Sequence, residues 1–434
     1  MPRLAGFATD CTISFDGERI PARSGEPVAA ALLAAGRALV SRSAKYHRPR
    51  GPFCLAGSCG TCLVRADGLP NQRACRTACR EGLAVETQNA FPGARHDVLG
   101  VLDPFLPHGL DHHHLATWSA VANRAAIAVS RRLAGLGRLP SGAAAEAAGA
   151  AARVRVPEER VDALVAGAGP AGLAAAEALA GAGLRVLVAE QEPAPGGRLR
   201  CRLGLRGEPD LGWVDRVRSR VRSAGGEIAL ATAVLGLWHD GGAPVAALAA
   251  DGAPPRLRLV RPARIVICTG GHAQPLAIPG GDRPGVFGAR GLAAALAEHG
   301  AAPGARIAVV GAGEEADGVA AAFSRAGLRA ERVASADGGR VLGRARVRAL
   351  DLPDRRVRCD TIAVATPPAP ATELARELGA EVALDAGASA FAVRTGGRGE
   401  TAVPALFAAG EVTGAMDAAR AGEAGRRAGE AALE

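Results

Sequence analysis

Alternating and apolar segments near the start of the chain predict a small sheet with one helix. Thr12 to Phe15 alternates apolar and polar side chains, as a half-buried strand does. Asp16-Gly17 is a hairpin turn signal, after which Ile20 to Ala22 can return as a second strand. The apolar run from Pro27 to Ala35 predicts a helix that ends at Gly36. A cysteine-rich loop follows this helix.

The second half of the chain shows a different pattern. From Val161 onward apolar strands alternate with helical segments, which predicts βαβ units and a parallel sheet. Gly-rich strand-to-helix turns occur twice, at Gly167 and at Gly311. The repeat is longer than a solenoid unit and indicates two nested dinucleotide folds.

The segment between these halves carries few motifs. An amphipathic stretch lies around Trp118 to Leu136, and Ser141 to Arg153 is almost pure Ala and Gly, which predicts a linker. The side chains of His112, His113 and His114 diverge because the residues are adjacent. We therefore expect a surface loop there rather than a metal site.

Composition limits the function classes. The chain has 434 residues, of which 48% are apolar and only 3% aromatic, and its net charge is +9. The basic residues are spread along the chain, so we expect a solvated basic surface and no nucleic-acid partner. No run approaches the roughly 18 apolar residues of a membrane span. Met1 to Asp10 lacks the apolar segment of a signal peptide, so we expect a cytoplasmic protein.

The cysteines point to a metal centre. Nine cysteines, an odd number, argue against a disulfide framework in a chain without a secretory signal. Four of them follow the spacing C-x4-C-x2-C-x12-C, and the spacing of the first three matches a plant-type ferredoxin loop. The predicted ligands of a 2Fe–2S cluster are Cys54, Cys59, Cys62 and Cys75. Cys79 is an alternative fourth ligand, and a zinc site is the alternative metal centre.

The first Gly-rich turn has all the parts of a dinucleotide site. A strand from Val161 to Val165 enters Gly167-Ala168-Gly169-Pro170-Ala171-Gly172, and an Ala-rich helix follows. Gly167 makes the tight turn, Gly169 lets the backbone approach a pyrophosphate, and Gly172 lets helix and strand pack closely. The helix N-terminus faces the phosphates, and Glu190 ends the next strand, where it can accept hydrogen bonds from ribose hydroxyls.

Later segments favour FAD over NAD at this turn, although NAD stays an alternative. Pro195 to Arg198 follows the ribose acid, and a strand from Arg264 ends in Thr269-Gly270. Ala405 to Gly414 is a strand ending in Gly410-Glu411, which resembles the C-terminal flavin motif of oxidoreductases with two dinucleotide domains, with Glu in place of the usual Asp. The predicted cofactor contacts from these segments are Gly197, Arg198, Thr269, Gly270, Gly410 and Glu411.

The second turn, Gly311 to Ala316, is less complete. Glu314 and Glu315 lie at the predicted helix N-terminus, where carboxylates would oppose a pyrophosphate. No ribose acid follows the next strand, Ala330 to Ala334. This pattern favours a fold that has kept its shape while its ligand has been lost or altered.

These elements predict an α/β chain in which an N-terminal β-grasp 2Fe–2S ferredoxin-like domain is followed by two nested Rossmann-like dinucleotide-binding domains, as in flavoproteins with two dinucleotide-binding domains. The expected boundaries are residues 8–91 for the ferredoxin-like domain, 92–157 for a connecting segment and Ala-rich linker, 158–285 and 386–434 for the two parts of the FAD-binding domain, and 286–385 for the second, NAD-like dinucleotide domain.

This order resembles the alpha subunit of multimeric sarcosine oxidase. It is also similar to the related proline, hydroxyproline and opine dehydrogenase subunits and to hydrogen cyanide synthase. The resemblance extends to Ser41–Gly51 (SRSAKYHRPRG), Leu133–Pro140 (LAGLGRLP) and Arg283–Gly291 (RPGVFGARG). It implies a separate FAD-containing beta subunit that oxidises an amine and passes electrons to this chain, from which a small electron acceptor can take them.

The resulting hypothesis is an FAD-dependent oxidoreductase subunit that transfers electrons through FAD and a 2Fe–2S cluster. No residue of the chain is singled out as a general base, which fits a catalytic centre on another polypeptide. A self-contained NAD(P)H-dependent reductase and a non-catalytic cofactor-binding scaffold are the alternatives.

Overall fold

The chain forms two compact units, each built from two separate segments. The structure is a computed structural model that describes residues 3–102, 105, 119–140, 143, 146, 149–150, 155–251 and 256–434. The first unit comprises residues 1–146 and 275–366, and the second comprises residues 147–274 and 367–434. His112, His113, His114 and most of the predicted Ala-rich linker lie outside the described residues.

The N-terminal part of the first unit is a five-stranded sheet that carries one helix. Its strands are β1 (Cys11–Phe15), β2 (Glu18–Ala22), β5 (Leu63–Ala66), β6 (Leu69–Arg73) and β7 (Ala84–Thr87), in the order β2-β1-β7-β5-β6. Strands β3 (Ser41–Arg42) and β4 (Pro49–Arg50) form a separate hairpin. Helix α1 (Val28–Ala34) is buried along its whole length because all its residues are apolar. The pairing of β1 with β7 is parallel, and the other pairs are antiparallel, as in a β-grasp domain.

The other part of the first unit holds the second Gly-rich turn. A parallel sheet has the order β15-β21-β16-β17, and beside it lies an antiparallel sheet with the order β18-β19-β20. The bounds are β15 (Val286–Gly288), β16 (Arg306–Val310), β17 (Arg329–Val333), β18 (Arg340–Gly343), β19 (Val347–Asp351), β20 (Arg356–Val357) and β21 (Thr361–Val364). Two helices accompany them, α5 (Ala289–His299) and α6 (Gly313–Arg325). Helix α2 (Ala120–Leu133) is the amphipathic stretch that the sequence predicts.

The second unit is organised around a seven-stranded sheet. Its order is β10-β9-β8-β13-β12-β11, and β25 pairs with β13. The bounds of these seven strands are β8 (Glu158–Ala166), β9 (Val186–Ala189), β10 (Glu227–Ala229), β11 (Thr232–Asp240), β12 (Ala243–Ala250), β13 (Arg256–Ile267) and β25 (Leu406–Ala408). Two separate two-stranded sheets pair β14 (Gly271–His272) with β22 (Ala369–Pro370) and β23 (Val382–Asp385) with β24 (Ala390–Val393). The helices are α3 (Pro170–Gly181), α4 (Leu211–Ser223), α7 (Glu373–Glu377) and α8 (Ala418–Ala431). Strands β8, β9, β10 and β25 are parallel to one another and to β13, whereas β11, β12 and β13 form an antiparallel meander.

Small residues let two helices of the second unit approach each other closely. A Cβ on Gly425 of α8 would lie 2.0 Å from the carbonyl oxygen of Ala171 in α3, and one on Gly429 would lie 2.7 Å from that of Ala175. Real Cβ atoms do not come this close, so α8 can pack on α3 only with glycine at these positions. The C-terminal helix therefore covers the helix that starts at the first Gly-rich turn.

In the part of the chain that the structure describes, no helix is both long enough and apolar enough to cross a membrane.

Candidate cluster and dinucleotide sites

A loop and a hairpin bring the four predicted cluster cysteines together. Cys54, Cys59 and Cys62 lie in the loop before β5, and Cys75 follows β6. The chain reverses between these strands at Asp67-Gly68, both with positive φ, as two-residue hairpin turns require. The N–H of Ala74 then donates to the carbonyl of Cys62 at 2.9 Å. This bond returns Cys75 to the loop.

The four thiols form a connected set. The Sγ atoms of Cys62 and Cys75 are 3.4 Å apart. The backbone N–H of Cys59 donates to the Sγ of Cys54 at 3.4 Å, and the thiols of Cys59 and Cys75 both hydrogen-bond that sulfur. The contacts therefore run from Cys59 through Cys54 and Cys75 to Cys62 and link all four sulfurs. A 2Fe–2S cluster needs two protein ligands on each iron, so this arrangement fits that group.

The hydrogen bonds among these thiols shift their pKa values in opposite directions. Bonds from the thiols of Cys59 and then Cys75 lower the pKa of Cys54, and the thiol of Cys75 lowers the pKa of Cys62. The pKa values of Cys59 and Cys75 are raised, chiefly by the same bonds. Each of these thiols therefore shifts the pKa of another, as expected for sulfurs in direct contact.

Cys79 lies in a different environment from this set. Burial raises the pKa of its thiol, and the nearby groups that act on it are Glu26, Cys11 and Arg3. Its backbone N–H donates to the carbonyl of Glu26 at 2.7 Å. These contacts place Cys79 in the core of the small domain.

One residue that supports the loop was missed by the sequence analysis. Nη1 of Arg73, at the end of β6, donates to the carbonyl of Gly57 at 2.5 Å. Gly57 has a φ of +79°, and Gly60 has a φ of +64°. The loop thus bends at two glycines and is tied to the hairpin by a cation. No spacing rule in the sequence identifies Arg73 for this role.

The first Gly-rich turn can be built only with glycine at two positions. Gly167 has a φ of +105°, and its Cβ would lie 2.4 Å from the carbonyl oxygen of Cys268. A Cβ on Gly172 would lie 1.8 Å from the carbonyl oxygen of Gly167. Helix α3 then begins with Pro170 and has no side-chain cap at Gly169. Its first amides therefore keep the direction and charge that bind a phosphate.

Glu190 holds the turn from the end of β9. Its carboxylate accepts from the N–H of Ala168 at 2.7 Å and from the N–H of Glu192 at 2.8 Å. The side chain is buried, and burial raises its pKa. Each carboxylate oxygen keeps a second lone pair, so Glu190 fixes the loop and can still accept from a ribose hydroxyl.

The later predicted segments converge on this turn. A Cβ on Gly197 would lie 3.0 Å from the Cα of Gly169, and one on Gly410 would lie 2.8 Å from the Cβ of Ala171. The hydroxyl of Thr269 donates to the carbonyl of Ala371 at 2.7 Å, and Gly270 follows with a φ of +69°. The structure thus gathers segments that are far apart in sequence beside one helix N-terminus.

Arg198 and Glu411 contact each other. Nη1 of Arg198 donates to the carboxylate of Glu411 at 3.0 Å and to the carbonyl of Met416 at 2.9 Å. Both side chains are about nine-tenths buried, at 9% and 10% exposure. The ion pair links the loop after β9 to the segment after β25. The sequence analysis selected both residues without predicting their pairing.

The second Gly-rich turn has the same backbone register as the first and different side chains. Val310 pairs with Val333 as Ala166 pairs with Ala189. The N–H of the turn glycine donates to the last carbonyl of the neighbouring strand in both folds, from Gly167 to Ala189 and from Gly311 to Val333. The position of Glu190 is therefore taken by Ala334 in the second fold. This equivalence agrees with the missing ribose acid that the sequence predicts.

Two arginines act on the second turn. Nε and Nη2 of Arg290 donate to the two carboxylate oxygens of Glu315, each at 2.7 Å. Nη2 of Arg332 donates to the carbonyl of Gly311 at 3.0 Å, and the same guanidinium pairs with Asp317. Neither arginine lies at a motif position, so the sequence alone does not predict these contacts.

Two family models match the chain. Residues 8–90 match a 2Fe-2S iron-sulfur cluster binding domain, and residues 161–344 match the pyridine nucleotide-disulphide oxidoreductase family. These matches fit the predicted α/β class and the predicted cofactors, a 2Fe–2S cluster and FAD.

Two relatives and one solved structure illustrate the likeness. The alpha subunit of sarcosine oxidase from Rhizobium meliloti is 32% identical over 318 residues, which are 68% of this chain and 31% of the relative. Hydrogen cyanide synthase subunit HcnA from Pseudomonas aeruginosa is 40% identical over 80 residues, which are 18% of this chain and 76% of the relative. L-proline dehydrogenase from P. horikoshii superposes with a TM-score of 0.75 at 18% identity, covering 100% of this chain and 75% of that one, and this likeness concerns the fold. The chain spans about a third of the length of the sarcosine oxidase relative.

Proposed function

Because the chain belongs to the family of sarcosine oxidase alpha subunits and hydrogen cyanide synthase subunits with an N-terminal 2Fe–2S domain, we propose that it is the electron-transfer subunit of an amine dehydrogenase or oxidase complex. The observation that carries the proposal is the combination of four converging thiols with one complete dinucleotide turn. When bound, FAD supplies two-electron chemistry and a 2Fe–2S cluster supplies one-electron transfer, so the two together can split an electron pair.

The chain's own residues have distinct tasks in this proposal. Cys54, Cys59, Cys62 and Cys75 hold the cluster. The turn Gly167-Ala168-Gly169-Pro170-Ala171-Gly172 receives the pyrophosphate on the uncapped start of α3. Glu190 binds the ribose, and the flavin side of the site is formed by Gly197, Arg198, Thr269, Gly270, Gly410 and Glu411.

Amine oxidation is assigned to a separate FAD-containing beta subunit. No residue of the chain is predicted to act as a general base, and its relatives are named as subunits of oxidases and synthases. Disulfide chemistry is not proposed, although one matched family name includes it, because residues 158–434 contain no C-x-x-C pair. A small one-electron acceptor is the proposed destination of the electrons.

Cofactor analysis with two cysteine variants tests the cluster assignment. Anaerobically purified protein should contain iron, sulfide and flavin. Cys75→Ala should lose the iron and its electron paramagnetic resonance signal, because one iron loses a ligand. Cys79→Ala, a buried cysteine a few residues away, is the matched control and should keep both. Loss of iron from the Cys79 variant alone would overturn the assignment of Cys75.

A reduction experiment tests whether this chain receives its electrons from a beta subunit or from NADH. NADH alone should not bleach the flavin rapidly, because the second turn has Ala334 at the ribose-acid position and carboxylates at its helix start. Amine substrate together with a co-purified beta subunit should bleach it. Rapid bleaching by NADH alone would instead identify a self-contained reductase, and a bound nucleotide without flavin absorbance would identify a scaffold.

A further inference from the structure

Helix α5 of the second dinucleotide fold touches the cysteine loop at its first turn. The backbone N–H of Gly288, which precedes the helix, donates to the carbonyl of Phe53 at 2.9 Å. A Cβ on Gly291 would lie 2.0 Å from the carbonyl oxygen of Cys54 and 3.0 Å from the Cβ of Leu55. A Cβ cannot lie 2.0 Å from a carbonyl oxygen, so no side chain fits at this position without a shift of the backbone. The backbone of the first cluster cysteine therefore lies directly against the backbone of α5.

The other end of α5 is held by the same small domain. Nη1 of Arg23 donates to the carbonyl of Glu298 at 3.0 Å, and Nη1 of Arg3 donates to the carbonyl of His299 at 2.7 Å. The N–H of Leu4 donates to the carbonyl of Gly300 at 3.0 Å. Cations and donors at the last carbonyls of a helix stabilise it. Residues of the cluster domain thus contact both ends of one helix.

The segment that leads into the loop is held in the same way. Nη1 of Arg50 donates to Asp282 at 2.8 Å, just before α5 in sequence. A Cβ on Gly51 would lie 2.1 Å from the carbonyl oxygen of Ala38 and 3.2 Å from the Cβ of Pro284. Residues 50–55, which lead up to and include the first cluster cysteine, therefore contact residues 282–291 along their length.

We propose that helix α5 is the support that positions the cluster loop, with Gly291 as its key positioning residue, so that the second dinucleotide fold serves the iron–sulfur centre. The inference rests on the proposed function, in which Cys54 is a cluster ligand. The positions of ligands are set by groups one contact further out, and changes in those groups cost metal affinity. At Gly291 that outer contact is backbone against backbone.

Gly291→Ala tests the proposal, with Gly181→Ala as the matched control. Gly181 also lies in a helix, and its Cβ would meet nothing within 4 Å. The Gly291 variant must move the carbonyl of Cys54. We expect iron release to a chelator to be on the order of 10-fold faster, as for other outer contacts of metal ligands, with shifted g values in the reduced cluster spectrum. Flavin content and the circular dichroism spectrum should stay those of the unaltered protein.

The possible results distinguish a failure of the role of α5 from a failure of the proposed function. An iron-free unaltered protein would overturn both. A folded Gly291 variant with unaltered iron retention and spectrum would overturn only the role of α5.

Hydrogen exchange of the unaltered chain decides the matter if the variant does not fold. Removal of iron should speed exchange at the first amides of α5, because Phe53 and Cys54 lose their fixed positions. Helix α6, which lies in the same fold, is the internal control and should not change. Equal exchange of α5 with and without iron would contradict the proposal.

Discussion

The two Gly-rich turns of this chain share a backbone and differ in chemistry. In both, a parallel strand pair ends in the same register, and the turn glycine has a positive φ, +105° at Gly167 and +147° at Gly311. Both glycines lie against a neighbouring carbonyl, with the Cβ position 2.4 Å and 2.3 Å from the oxygens of Cys268 and Ala365. The strand-turn-helix geometry alone therefore does not determine whether a turn binds a dinucleotide.

The side chains around the turns distinguish them. Neither helix start has a side-chain cap, but the first turn has a buried acid after its second strand, whereas the second has Ala334 there and two glutamates in the first turn of its helix. One of these, Glu315, is neutralised by Arg290. The comparison teaches that two turns with the same backbone can present different chemistry to a ligand. The following substitutions test this difference, beginning with the largest expected effect.

Gly172→Ala should sharply weaken flavin binding. Its Cβ would lie 1.8 Å from the carbonyl oxygen of Gly167, so α3 must move away from the turn. Overpacking of this kind costs about 1–3 kcal/mol of stability, and the displaced helix start also loses its phosphate contact. The second fold already has Ala316 at this position. Flavin absorbance per chain is the measurement, and Gly181→Ala is the control. Full flavin content in the Gly172 variant would contradict the close packing described here.

Glu190→Ala and Ala334→Glu exchange the residue that differs most between the turns. The first variant leaves the N–H groups of Ala168 and Glu192 without their acceptor. Hydrogen bonds to charged groups contribute about 1.5–3 kcal/mol, so flavin should bind about 10- to 100-fold more weakly. Ala334→Glu should leave flavin affinity unchanged and gain no NADH binding, because Glu314 and Glu315 remain. Calorimetric titration measures both, and NADH binding by the second variant would show that one acid restores the site.

Buried cysteines beside the two folds should behave alike. Burial raises the pKa of Cys268 to about 12 and that of Cys359 to about 12, from 9.0. Above pH 9 the unfolded chain has released these protons and the folded chain has not, so the free energy of unfolding falls as pH rises. Each thiol contributes about 1.4 kcal/mol per pH unit. Denaturant unfolding between pH 9 and 11 gives the free energy of unfolding at each pH. This free energy should fall less steeply with pH in Cys268→Ala and in Cys359→Ala than in the unaltered chain, and by the same amount in both. A thiol whose removal leaves the slope unchanged is not buried as described.

Local patterns predicted a large part of this architecture. The hairpin at Asp16-Gly17 and the strand over Val161–Val165 follow from turn residues and apolar runs that act over a few positions. The spacing of Cys54, Cys59, Cys62 and Cys75 likewise anticipated four thiols in contact, because a short loop and one hairpin join them. Turn residues, apolar runs and short cysteine spacings can all be recognised from residues that are close together in the sequence.

Contacts between distant segments could not be predicted in the same way. Gly291 is an ordinary helix residue in sequence, and only its neighbour Cys54 makes its missing side chain important. Arg198 and Glu411 were each selected for a cofactor, yet their ion pair depends on two loops meeting. Arg332 was overlooked because a strand residue that reaches a glycine carbonyl has no motif. These features depend on tertiary packing, which single-sequence patterns do not encode.

The close packing of α8 on α3 has a consequence for biosynthesis. Helix α3 and the first turn emerge early from the ribosome, whereas the glycines that cover α3 lie near residue 425. At ~5–20 residues per second, the interval is on the order of ten seconds or more. The apolar face of α3 stays uncovered during that time, so we expect protection by chaperones to be most needed in this interval.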